Sequence, residues 1–174
     1  MTDLYDRIVG DRNAIEGLLS RIPGFKGYME MSSRREADRT IREHVAGRFK
    51  PLVDRFASLE SEMLSSGGFM YMERTKSIKT KLQNLQNRIA VDTPGYSGFF
   101  ASNKIGPDEL EKIYAFDAAM ERYADEVAVT LDGLQTAVRA GEGIPDALAA
   151  IDAKVAEAHQ AYDLREQVLN GLSE

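Results

Sequence analysis

Apolar residues recur along this chain in alternating steps of three and four, the spacing of a helical seam that packs against a like seam. In the C-terminal stretch Leu110, Ile113, Met120, Ala124, Val127, Leu131, Leu134 and Val138 keep it, with Asp117 in the one polar slot. Leu148, Ile151, Val155, Ala158, Tyr162, Leu169 and Leu172 keep it again, with Arg165 in the gap. Folded back antiparallel across Gly141, Leu134 faces Leu148, Leu131 faces Ile151, Val127 faces Val155 and Leu110 faces Leu172. Asp117 then meets Arg165. The upstream half repeats the pattern: Val45, Phe49, Leu52, Phe56, Leu59 and Met63 oppose Ile89, Leu85, Leu82, Ile78, Thr75 and Tyr71 around the turn Ser65-Ser66-Gly67-Gly68. Two seams at heptad spacing agree in phase by chance about one time in seven, and here two independent pairs agree. The pattern predicts an all-α fold of two long helical hairpins in an elongated bundle, within one domain.

The element boundaries follow from caps and breakers. A first helix is predicted over about 3–21, with Thr2 as N-cap, Leu4, Ile8, Ile15, Leu18 and Ile22 on one face, and Pro23-Gly24 as its stop. Hairpin A is predicted over about 32–91. Pro51 lacks an amide donor and its ring crowds the Gly47 carbonyl, so a kink is expected between Gly47 and Pro51. Phe69-Met70-Tyr71-Met72 opens its second helix, although the segment alone is compatible with a short strand. Residues 93–105, with Pro94, Gly95 and Gly98, are irregular. Hairpin B is predicted over about 107–172. Pro107 suits a first helical position, Asp108 and Glu109 complement the dipole, and Gly141 suits a C-cap.

Charge changes the picture by its distribution. The net charge of −6 divides into 17 Lys and Arg against 13 Asp and Glu over residues 1–106, and 5 against 15 over residues 107–174. The two hairpins therefore have opposite sign. Packing them together, or stacking separate copies head to tail, would use that difference; two solvated surfaces of unlike composition is the plain alternative. The absence of cysteine excludes disulfides, thiolate metal sites and cysteine nucleophiles. The N-terminal residues lack an apolar leader, and no window approaches the roughly 18 apolar residues of a spanning helix. A cytoplasmic location is expected.

The chemistry-bearing motifs are missing. A di-iron or di-manganese bundle needs Glu-x-x-His motifs, whereas His44 directly follows Glu43 and His159 lies two residues after Glu157. Both histidines read as surface or border residues. Gly95-Tyr96-Ser97-Gly98-Phe99 fails as a nucleophile elbow, because Phe99 stands where glycine is required and no strand precedes it. Phosphate loops, dinucleotide fingerprints, calcium loops and zinc helices are also absent. No catalytic residue, metal ligand or cofactor is expected, and the chain reads as non-enzymatic.

Three constellations remain. The first is Asp117 with Arg165, a register-setting pair if both face the seam, since a slip would strand a charge. The drift of straight helices from the heptad favours the other placement, with Phe116 and Leu164 filling the layer and the pair at its rim. The second is the basic face Arg74, Lys76, Lys79, Lys81 and Arg88, opposed locally by Glu73 alone. It could meet an anionic membrane surface, or be neutralised by acids of neighbouring helices, the reading favoured here; an acidic chain disfavours nucleic acid. The third is the set of loop aromatics Phe25, Tyr28, Tyr96, Phe99 and Phe100, which can cap the core or dock a partner.

The segments Ile22-Pro23-Gly24-Phe25-Lys26-Gly27-Tyr28, Gly67-Gly68-Phe69-Met70-Tyr71 and Gly95-Tyr96-Ser97-Gly98-Phe99-Phe100 resemble those of a family of bacterial all-helical proteins that carries similar segments in the same order. The resemblance implies no activity, cofactor or catalytic residue. The expected function is a helical interaction or scaffold protein that binds a protein partner or itself, with peripheral membrane association as the alternative.

Overall fold

The computed structural model describes residues 2–24, 34–91 and 107–171. These form six α-helices, with no strand among the described residues: α1 (Thr2–Val9), α2 (Arg12–Arg21), α3 (Arg34–Ser65), α4 (Met72–Ala90), α5 (Pro107–Ala140) and α6 (Ile144–Gly171). A 3₁₀ turn, Phe69–Tyr71, leads into α4, so Phe69-Met70-Tyr71-Met72 is helical rather than extended. At 1.5 Å per residue, α3 and α5 are each roughly 50 Å long.

The expected first helix is two. Gly10 and Asp11 interrupt it: the Asp11 carboxylate accepts from the Ala14 amide at 3.2 Å and caps a new helix. Its local hydrogen bond outcompetes continuation through a glycine. Thr2, expected as N-cap, already lies within α1. By contrast α3 runs through Pro51 as one helix. Gly47 and Pro51 are both exposed, on a face where water can satisfy the carbonyl that proline leaves without a donor.

Both hairpins pack antiparallel. Glu60 of α3 meets Thr75 and Lys79 of α4, while Arg42 reaches Ile89 and Ala90. Asp117 of α5 meets Arg165 of α6, and Glu126 meets Lys154. The seam residues named from spacing are buried in both hairpins, with Tyr71 and Val138 packed half-buried at its edges; Leu172 lies outside the described residues. Between the hairpins, α3 runs parallel to α5, and α4 to α6, so the turns of both hairpins lie at one end. Helix α5 is the axis of the bundle: α1, α2, α3 and α6 all pack on it. Consequently every residue from Ala115 to Glu121 is buried, beyond one amphipathic stripe.

The turn after α3 depends on its glycines. Gly67 has φ +88°, and the Gly68 amide returns to the Met63 carbonyl at 2.9 Å, a helix-terminating bond that satisfies a last-turn acceptor. Gly141 closes α5 in the same left-handed region at φ +74°. A Cβ on Gly68 would stand 2.8 Å from the Met63 carbonyl oxygen, against backbone that cannot swing away. Gly68→Ala is expected to destabilise the chain by about 1–3 kcal/mol, read from the urea midpoint; an unchanged midpoint would show that the turn yields without cost.

Candidate functional site

A buried chain of four charges crosses the bundle. Arg42 Nε donates to Asp38 Oδ2, an Arg165 terminal nitrogen donates to Asp38 Oδ1, and Arg165 Nε donates to Asp117 Oδ1, each at 2.7 Å. All four residues are at most 4% exposed. One terminal nitrogen of Arg42, Nη1, donates to the Ile89 and Ala90 carbonyls at 3.4 and 3.3 Å, at the end of α4 where helix acceptors lack intrahelical partners. Within this network two guanidinium groups balance two carboxylates. Tyr162 supports one flank, donating to the Arg88 carbonyl at 3.2 Å while the Arg88 and Arg165 guanidinium carbons stand 5.0 and 6.0 Å from its ring centre.

Asp117 and Arg165 therefore lie in the core, not at the rim that helix drift favoured. The two placements do not compete, because Phe116 and Leu164 are buried as well. Helix α5 is enclosed on several sides at this level, so adjacent residues can both face inward. Asp38 and Arg42 were missed, although the signal is present: they extend the alternating seam of Val45 and Phe49 backwards at the same spacing.

The basic face of α4 does not stand free. Lys79 pairs with Glu60; Lys81 pairs with Asp152 at 2.7 Å; Arg88 pairs with Asp163 and Glu166 at 2.7 and 3.1 Å. Burial works against the Arg88 charge, but Asp163 and Glu166 more than offset it and hold the guanidinium above its ordinary value. Arg74 and Lys76 remain exposed. The loop aromatics Phe25, Tyr28, Tyr96, Phe99 and Phe100 lie outside the described residues. His159 is a border residue: one ring nitrogen stands 2.9 Å from the Lys81 carbonyl and the other 3.3 Å from Arg88.

Two polar clefts flank α5. The first, about 430 Å³, is lined by Arg21, His44, Arg48, Glu121 and Asp125. Arg21 donates to Glu121 and Asp125 at 3.0 Å each, which raises its pKa further, Asp125 contributing most. Arg48 pairs with Asp125 and lies 3.1 Å from Glu121, while His44 Nε2 is 3.4 Å from Glu121 Oε2. Here two arginines meet two carboxylates. The second, about 330 Å³, is lined by Arg7, Arg122, Tyr123, Glu126, Lys154 and Glu157. Burial, followed by the charge of Glu157, pushes the Tyr123 phenol up, against Arg7 and Arg122; Glu126 leads the effects that raise Lys154.

At the end that carries both hairpin turns, Phe69, Met70 and Met72 are 67%, 80% and 52% exposed. No group of three or more His, Cys, Asp and Glu placed to hold a metal ion occurs among the described residues. No described helix is long and apolar enough to cross a membrane. No protein-family model, curated protein or solved structure matches this chain.

Arg165→Leu leaves Asp38 and Asp117 buried with a shared cation gone, and is expected to cost about 3–5 kcal/mol in chemical denaturation. A loss below about 1 kcal/mol would mean that the charges hold nothing together. The raised Tyr123 and Lys154 groups have one sign: the folded chain keeps protons that the unfolded chain releases, so their contribution is intact below the usual tyrosine and lysine ranges and fades above about pH 10. Tyr123→Phe is expected to flatten this alkaline decline, measured as unfolding midpoint against pH.

Proposed function

We propose that this chain is a non-enzymatic binding module that docks a protein partner with the turn-bearing end of its bundle. The observation that carries the reading is the exposed triplet Phe69, Met70 and Met72 on a turn held by Gly67 and Gly68. Large apolar groups standing together in water mark interaction surfaces. A rigid turn lets them bind without first being ordered, and methionine adapts to the contour of a groove. Ion pairs between the hairpins engage part of their charge difference within the bundle. That leaves the bundle as a scaffold and its end as the working surface. A chain without cysteine suits the cytoplasm.

Peripheral membrane binding is the second reading, favoured by exposed Arg74 and Lys76 close to the same apolar turn. It has fewer cations than the sequence offered, because Lys79, Lys81 and Arg88 are engaged by carboxylates. The proteins that co-purify with the tagged chain from native lysate are identified, and the strongest is produced and titrated. Combined Phe69→Ser and Met70→Ser is expected to weaken that complex about tenfold or more with helical circular dichroism unchanged. Undiminished affinity would overturn the assignment of the surface. Binding to anionic vesicles that the same substitutions abolish, with no protein partner retained, would replace the first reading by the second.

A further inference from the structure

The cavity between α1, α5 and α6 has more hydrogen-bond donors than its own residues use. Glu126 takes Arg122 at 3.4 Å and Lys154 at 2.9 Å; Glu157 takes Lys154 at 3.1 Å; Asp11 takes Arg122 at 3.0 Å. Both carboxylates lining the cavity are thus engaged, and Arg122 and Lys154 are matched. Two groups are left: Arg7, exposed at the mouth of the cavity, forms no ion pair among the described residues and acts on the Tyr123 phenol beside it, and Tyr123, 1% exposed, has a buried hydroxyl without a well-formed hydrogen bond. A buried phenol without a partner loses its hydration for nothing in return. The other cleft also leaves His44 Nε2, Arg48 Nε and Glu121 Oε2 without a completed hydrogen bond, but there donors and acceptor face one another and both arginines are paired with Glu121 and Asp125. A buried donor without a partner and a guanidinium at the mouth that no carboxylate occupies suit a ligand that brings acceptors and negative charge.

We propose that this cavity binds a small oxyanion, a carboxylate or phosphate group, held by the Arg7 guanidinium and the Tyr123 hydroxyl with Lys154 and Arg122 behind them. At about 330 Å³ the space suits a compact molecule rather than a polymer. The phenol serves as donor because burial and Glu157 keep its proton in place. Glu126 and Glu157 both resist the ligand, and Glu157 is the one whose charge also acts on the Tyr123 phenol. It therefore sets affinity, and removing its charge also frees Lys154 to engage the oxyanion.

The test is isothermal titration of the full chain with inorganic phosphate and, separately, acetate, at ionic strength fixed with sodium chloride. Saturable one-to-one binding of either is expected; which one binds assigns the phosphoryl or the carboxylate class. Arg7→Gln and Tyr123→Phe should each weaken it about tenfold, while Glu157→Gln should strengthen it. Tyr123→Phe keeps the ring packing, and an unfolding midpoint near that of the parent shows that any loss is not misfolding. The proposal falls if neither oxyanion binds saturably, if chloride competes equally well, or if Arg7→Gln and Tyr123→Phe bind as the parent does.

Discussion

The bundle depends on keeping four charges dry and neutral at once. Asp38 is the hinge of that constraint, since one oxygen accepts from Arg42 on its own helix and the other from Arg165 across the hairpin interface. Asp117 holds the far side of Arg165. Three helices must therefore arrive in one register before Asp38, Asp117 and Arg165 meet. Such a network adds little net stability compared with an apolar core, yet it makes every alternative register expensive. The seams on either side supply the attraction, and a slip among the alignments that heptad periodicity would allow would strand a charge.

From that alignment the outer electrostatics follow. With α3 beside α5 and α4 beside α6, Arg48, Arg55, Lys81 and Arg88 of the first hairpin each meet a carboxylate of the second. The uneven charge that distinguishes the two halves of the chain is thus an internal glue. It also explains why the clefts flank α5. That helix contributes Glu121 and Asp125 to one, Arg122, Tyr123 and Glu126 to the other, and the shorter α1 and α2 leave space at its sides.

Much of this was legible in the sequence because seams and turns are local in pattern. The spacing of Leu110 to Val138 and Leu148 to Leu169 marks the second hairpin, and Gly67, Gly68 and Gly141 mark where the chain reverses. The break at Gly10-Asp11 was missed, since a helical face that continues across it masks a cap as short as Asp11 to Ala14. Asp38 and Arg42 were missed for a different reason. Charged residues at seam positions read as the end of the seam, and only the distant Arg165 turns them into its continuation. The clefts were out of reach, because each is made by residues about a hundred positions apart, such as Arg21 and Glu121, that no periodicity connects.

The polarity of the hairpin interface also orders events in time. A ribosome delivers α3 and α4 before α5 and α6, with Asp38 and Arg42 in the seam and an excess of cations along the flank. Until α5 and α6 emerge, Asp38 lacks its second guanidinium, and the flank lacks the carboxylates that it meets in the finished bundle. The complementary half is the one that follows on the same chain.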